Sequence, residues 1–494
     1  MRNRLLTLAF AGALLAGCAT VTNPVTGEAE RTVMDVPAEL AEGKKEHGLV
    51  LKEYGVYQDP AVQGYVNELG QRLARQSHRK ELEWHFTVLD SPEVNAFALP
   101  GGYVYVTRGI MAYMESEADL AAVIGHEIGH VTARHGAQRA TRQQAAGLGV
   151  LAASILGAVL EGRGVSGAGD LVSQASQGIA AGYIASYSRD QELQADRLGA
   201  EYLARTNRDP KNMIDVIGLL KDQEQFAEDM ARAQGRSPQS RNSWLASHPS
   251  NEQRLQEIRQ AASQYHGTYG DEGRARYLAV INGIPFGEGR EQGVTRGRNF
   301  YHEPLGFALT APEGWTIQNS ADAITLANAA GDAGLIVSLV PKEAGATHEE
   351  IIRNVIKPEQ ARVERLASGH FPATHVVAVR RNRQGQAQQV EATVITGPKE
   401  RNYLLVYAAK DPATLKRARS KIGEAAASFR PLTSADLAAA RPRTIKTVPF
   451  PKGGFAELAR QSPLSGNAEP QLRLLNGDYS GGQPRPGQLV KTIE

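Results

Sequence analysis

Three residues at fixed spacing carry the clearest chemistry in this chain. They are His126, Glu127 and His130, in the run Val123-Ile-Gly-His-Glu-Ile-Gly-His-Val-Thr-Ala-Arg-His135. On a helix, positions i and i+4 share a face, so both imidazoles can reach a single ion. Glu127 projects beside that ion, where its carboxylate can act on a water. Short patterns also arise by chance, and a core helix with two hydrogen-bonded histidines is spelled the same way. The rest of the chain must decide.

A catalytic zinc site needs three protein ligands and one open position. In one plan the third ligand is a histidine six residues after the second motif histidine. Gly136 stands there, so that plan fails. His135 is one residue off and, far round the helix from His130, cannot easily ligate the same ion. In the other plan a glutamate on a later helix completes the set. Glu192 follows His130 by 62 residues, with Asp196 one turn beyond. Asp196 then has a supporting role, accepting a ligand imidazole N–H and fixing its tautomer.

The elements that must position these groups are visible in the pattern. Ala121 to Ile124, Ile128 and Val131 are apolar, so the motif helix reads as buried, and Ser116-Glu-Ala-Asp119 gives it an acidic first turn. Residues 38–80 are helical in pattern, with Val62, Tyr65, Val66, Leu69 and Leu73 on one face. Trp84 to Leu89 reads as a strand, as does Tyr103 to Val106, whose start is punctuated by Gly101-Gly102. Tyr187 to Tyr202 is a helix carrying Glu192 and Asp196, and Arg208-Asp-Pro210 ends it. Ser247-His-Pro249 opens a further helix, with Pro249 in its first turn. Residues 139–188 are rich in alanine, glycine and serine and read as a helical hairpin with a flexible tip. That hairpin could cover the site, touch a membrane or pack in the core.

The N-terminus bounds the compartment. Met1-Arg-Asn-Arg4, an apolar run from Leu5 to Ala16, and Gly17-Cys18 make a secretory signal too short to span a membrane, which takes about 20 apolar residues. Leu15-Ala-Gly-Cys18 resembles the bacterial lipobox, which implies lipidation at Cys18. Ala19 follows in place of a retaining aspartate, which implies the outer membrane of a Gram-negative envelope. Cys18 is the only cysteine, so neither an internal disulfide nor a thiolate zinc site can form. The formal net charge of +2 argues against nucleic acid as a partner.

The combination of H-E-x-x-H, Glu192-x-x-x-Asp196, Asn95-Ala-Phe-Ala, Gly-Gly-Tyr103-Val-Tyr-Val and Ser-His248-Pro with Arg254 resembles the gluzincin family of HtpX, BepA and the prenyl-CAAX endopeptidase. The likeness covers about residues 40–262, and the lipobox resembles the periplasmic BepA and LoiP branch. It departs from BepA in lacking 34-residue repeats after residue 265. The resemblance implies one Zn²⁺ per chain on His126, His130 and Glu192, Glu127 as general base, and Asp196 and Arg254 as supports. It places His248 over the site, donating to the oxyanion, or in the fourth zinc position at rest. Asn95, Ala96, Phe97, Gly102 and Tyr103 are then substrate-binding, along a strand edge to which an extended chain can add. The substrates implied are unfolded or misassembled envelope proteins. The competing reading is a lipid-anchored assembly factor, or a peptidoglycan-binding scaffold, with a latent zinc site.

The whole is expected to be an α+β multidomain protein. Its parts are a signal peptide (1–18), a tether (19–37), a mostly helical zinc protease domain with a small sheet (38–265), a linker (266–300), an α+β sheet domain (301–432) and a βααβ module (440–494). The sheet domain loosely resembles the PsbP/Mog-type fold. His348, His370 and His375 within it read as surface or packing residues. The last module resembles LysM through Leu475-Asn-Gly and Pro486-Gly-Gln, which implies peptidoglycan contact.

Overall fold

In the computed structural model the described residues are 19–144, 187–233, 248, 252–320, 323–366, 369–381, 387–464 and 466–494. Cys18, the signal segment, most of the 139–188 stretch and Pro249 lie outside them. Two units are distinguished: residues 1–286 with 444–494, and residues 287–443, which carry strands β7 (Val294–Arg296) to β17 (Arg430–Pro431).

The first unit opens with a hairpin of β1 (Ala19–Thr22) and β2 (Ala29–Thr32), then α1 (Val36–Tyr54) and α2 (Pro60–Ala74). Strands β3 (His85–Leu89), β4 (Ala96–Leu99) and β5 (Tyr103–Thr107) precede α3 (Arg108–Tyr113) and the motif helix α4 (Glu117–Thr132). Then follow α5 (Arg189–Arg205), α6 (Asn212–Ala233), α7 (Glu252–Ala262), α8 (Arg274–Ile281) and β6 (Pro285–Phe286).

All sixteen residues of α4 are buried. Ser116 starts it by accepting from the Asp119 N–H at 3.1 Å, with Glu117 and Asp119 at the positive end of the helix dipole. Arg134 ends it, with φ of 60° in the left-handed region that side chains other than glycine rarely adopt. A buried ion cluster holds that turn: Glu39 of α1 takes Arg134 at 2.7 Å and Arg79 at 2.6 Å.

Helix α5 lies against α4 along a seam of small residues. A Cβ on Gly125 would meet the Gly199 backbone at 3.4 Å, and one on Gly129 the Ala195 carbonyl at 3.0 Å. At Gly129 in particular a hydrogen in place of a side chain lets the backbones come close enough for α5 carboxylates to reach α4 imidazoles.

In the small sheet β5 is central, parallel to β3 and antiparallel to β4. Strands β3 and β4 are therefore the edges, and β3 also takes an isolated antiparallel bridge from Val56 to Leu89.

Three expectations about organisation change. The 19–37 stretch is not a free tether, because the Asn23 amide donates to Ala133 O at the end of α4, at 3.2 Å. Residues 266–300 are more than a linker: Tyr277, Leu278 and Ile281 of α8 are buried in the protease core. The tail does run strand, helix, helix, strand, as β18 (Arg443–Pro449), Gly454–Gln461, Ala468–Leu475 and β19 (Leu489–Ile493). It is no separate body, however. Strand β18 sits between β19 and β6, and Phe455, Leu458, Leu472 and Ile493 join the core that contains α4. Lys491 is fully buried, its Nζ donating to Ala112 O at 3.0 Å and Met114 O at 2.7 Å and meeting Glu115 at 2.6 Å.

The second unit is α+β. Its seven-stranded antiparallel sheet contains the four expected strands beginning near Ile324, Gly334, His375 and Tyr403. It also contains Gln360–Leu366 and Ala387–Thr396, which periodicity does not reveal. The Pro412–Ala427 helix packs on the sheet through Ile422 and Ala425. His348 pairs with Thr374 and Thr396, and His375 with Thr393, as packing residues do.

Candidate metal centre

Four donor atoms converge between α4 and α5. His126 Nε2 and His130 Nε2 are 3.0 Å apart. Glu192 Oε1 is 3.5 Å from His130 Nε2, and its Oε2 is 3.6 Å from His126 Nε2. His248 Nδ1 lies 3.2 Å from His126 Nε2 and 2.9 Å from Glu192 Oε1. Bonds of about 2.0–2.1 Å to a tetrahedral zinc put ligand atoms about 3.3 Å from one another, which is the spacing seen.

Charge makes the same point. Glu127, Glu192, Asp196 and Arg254 are each at most 1% exposed, so three acidic groups are buried beside one guanidinium. A divalent cation would neutralise that excess, and burying it without one is costly. Burial pushes the Glu192 carboxyl up to about 7, against the pull of His126 and Arg254. It drives His126 down, only partly offset by Asp196, and His130 and His248 well down. The imidazoles are thus neutral and their lone pairs available. A borderline-soft set of nitrogens and one carboxylate suits zinc.

The supports follow from the same two helices. Asp196 Oδ1 is 2.9 Å from His126 Nδ1, so that nitrogen carries the proton and Nε2 faces the site. Burial alone would raise the Asp196 carboxyl. The Arg254 guanidinium and the His126 N–H instead hold it far below the usual range. Arg254, from α7, grips Asp196 through Nε and Nη2 at 2.8 Å each, reaches Glu192 Oε2 at 3.1 Å and donates to His248 O at 3.1 Å.

His248 takes the second of its two expected places, while Gly102 and Tyr103 stand differently from expectation. His248 lies among the ligand atoms, with Nε2 3.6 Å from Glu127 Oε1, and not across the site from them. Tyr103 and the preceding Gly102 do not line a free edge, because β5 is paired on both sides. The Tyr103 ring stacks instead between His47 and His85, at 4.7 and 4.6 Å. Ala96 and Phe97 are on edge strand β4, and Asn95 immediately precedes it.

His135 is a residue the sequence reading set aside. It does not join the four donors, but its Nδ1 is 2.9 Å from His130 Nδ1. The left-handed turn at Arg134 brings it there, and no sequence signal marks that turn. Burial lowers its pKa to about 4.

Comparison with known proteins agrees with this geometry. Residues 60–262 match Peptidase family M48. The chain is 31% identical over 210 residues to the beta-barrel assembly-enhancing protease of Yersinia pestis, covering 42% of this chain and 40% of that one. It is 30% identical over 239 residues to the protein of the same name from Escherichia coli (strain K12), covering 47% and 46%. It is 29% identical to the mitochondrial metalloendopeptidase OMA1 of Schizosaccharomyces pombe, covering 44% and 63%. The chain thus spans less than half the length of these bacterial relatives. A solution structure of cyanobacterial PsbP from Synechocystis sp. PCC 6803 overlaps 28% of the chain and 98% of its own at TM-score 0.20 and 15% identity, too slight a likeness to carry an argument. The match to Peptidase family M48 thus takes in both the H-E-x-x-H helix and Glu192.

Proposed function

We propose that the protein is a zinc-dependent endopeptidase of the bacterial envelope that hydrolyses peptide bonds in unfolded or misassembled proteins. The observation that carries this is the spacing of His126, His130 and Glu192 donor atoms beside Glu127, in a buried pocket where three carboxylates lie beside the Arg254 guanidinium.

His126, His130 and Glu192 would hold the ion. When bound, zinc supplies Lewis acidity that makes water a nucleophile near neutral pH and polarises a carbonyl. Glu127 takes the proton of the attacking water and passes it to the leaving amine. Asp196 and the Arg254 guanidinium keep His126 and Glu192 aimed at one point. An extended substrate adds to the β4 edge through main-chain hydrogen bonds, which suits substrates of varied sequence.

The place of His248 supports a latent resting arrangement of the same site. It supplies a fourth donor, and activation then requires it to withdraw. Cys18 supports lipid anchoring, and the beta-barrel assembly named for the bacterial relatives supports an envelope setting. Among the described residues no helix is long and apolar enough to cross a membrane. The βααβ order of the tail supports LysM-like contact with peptidoglycan. Its shared core with the protease means that such binding must be tested on the whole chain. The alternative, an assembly factor with a latent metal site, has no need of Glu127. Cleavage of an unfolded outer-membrane protein by wild type and Glu127→Gln, each assayed for zinc, separates the two.

A further inference from the structure

Each zinc-facing histidine has a second nitrogen, and the partner of that nitrogen decides which tautomer is present. For His126 the partner is Asp196, at 2.9 Å. For His130 it is another histidine. His130 Nδ1 and His135 Nδ1 are 2.9 Å apart, and His135 Nε2 is 2.9 Å from Gln194 Oε1. His135 is fully buried.

A carbonyl oxygen can only accept, so His135 Nε2 carries the proton and its Nδ1 is a lone pair. One proton remains for the Nδ1–Nδ1 contact, and it must come from His130. His130 Nε2 is then left as the lone pair that faces the other donors. The His130 ring is further fixed by Tyr187, stacked at 3.8 Å between centroids and 21° between planes.

The same helix ends both arrangements. Glu192, Gln194 and Asp196 all belong to α5. Asp196 acts on His126 directly, and Gln194 acts on His130 through His135. The relay depends on the turn at Arg134, which Glu39 and Arg79 hold in place from the other side.

We propose that His135 and Gln194 are positioning residues that set the zinc-binding tautomer of His130. The proposal rests on the zinc reading above, and its test reads metal affinity and not turnover. Full-length wild type, Gln194→Met, Gln194→Glu and His135→Phe would be titrated with zinc against a chromophoric chelator, with thermal melts to confirm folding. Gln194→Met removes the acceptor and keeps the length of the side chain, and Gln194 is only half-buried. It should weaken zinc binding by about 10–100-fold, as loss of such outer partners does. His135→Phe should do the same. Gln194→Glu keeps an acceptor and should bind zinc as tightly as wild type or more so. A purely structural role would not separate glutamate from methionine at this position. Wild-type affinity in Gln194→Met, or equal weakening in Gln194→Glu, would overturn the relay. Wild-type protein that takes up no zinc would sink the metal site itself, a distinguishable failure.

Discussion

Gly129 faces Ala195 so closely that a Cβ on the glycine would lie 3.0 Å from the Ala195 carbonyl oxygen and 3.1 Å from its Cα. Those atoms are backbone and cannot swing aside. Gly129→Ala should therefore push α4 and α5 apart, loosening zinc and costing about 1–3 kcal/mol, as overpacking does. Gly218→Ala is the control. It lies within α6 with nothing inside 4 Å of the added carbon, and should stabilise by up to about 1 kcal/mol. Urea unfolding of both variants with a zinc titration checks the pair, and equal effects would contradict the seam.

Removing Arg254 strips a buried guanidinium from the carboxylates of Glu192 and Asp196. In metal-free protein Arg254→Met should cost about 3–5 kcal/mol, the range for breaking a buried ion pair from one side. Added zinc should recover part of the loss, because a cation again faces the excess charge. Thermal melts with and without zinc read both effects, and a variant as stable as wild type in metal-free buffer would refute the charge argument.

Lys491 ties the last strand to the start of the motif helix through two carbonyls and Glu115. Lys491→Met leaves those acceptors buried without their donor, at about 1–3 kcal/mol for each group left unsatisfied. The tail and α4 should also unfold together. Hydrogen exchange should give β19 and α4 the same opening free energy, lowered equally in the variant. Exchange in β19 that quickens while α4 is unaffected would show the tail to be separable.

Asp119, in the first turn of α4, gives a pH signature. Burial pushes its carboxyl up to about 6, against hydrogen bonds from Asn212 and the Glu115 N–H. In the unfolded chain it titrates near about 3.9. The folded state thus binds the extra proton, so this contribution to stability is full below about pH 4 and lost as pH rises through about 6. Two pK units correspond to about 3 kcal/mol. Asp119→Asn should flatten the stability–pH curve between about pH 4 and 7 by roughly that amount. Parallel curves for wild type and variant would show that the carboxyl is not perturbed.

Helical periodicity puts His126 with His130 on one face and Glu192 with Asp196 on another, and a zinc site's need of a third ligand joins the two pairs. What depends on chain reversal was hidden. His135 looks misdirected on a continuous helix, and the turn that sends it back toward His130 is held by Arg134 contacts to Glu39, 95 residues away, and to Met34 O. The tail carries its own apolar stripe in Phe455, Leu458 and Leu472, so it reads as a self-sufficient module. That this stripe completes the protease core is decided by tertiary pairing of β18 with β6. Strand Gln360–Leu366 is exposed at every residue and so lacks the alternation by which strands are recognised.

The central claim is that Glu127 serves as a base beside zinc held by His126, His130 and Glu192. The most direct measurement is cleavage of an unfolded outer-membrane protein by wild type and Glu127→Gln, each with zinc content determined. The expected result is one zinc per chain in both, with cleavage by wild type and loss of about 10²-fold or more in the variant, the scale of general acid–base contributions. Equal cleavage by the two proteins, both loaded with zinc, would contradict the account.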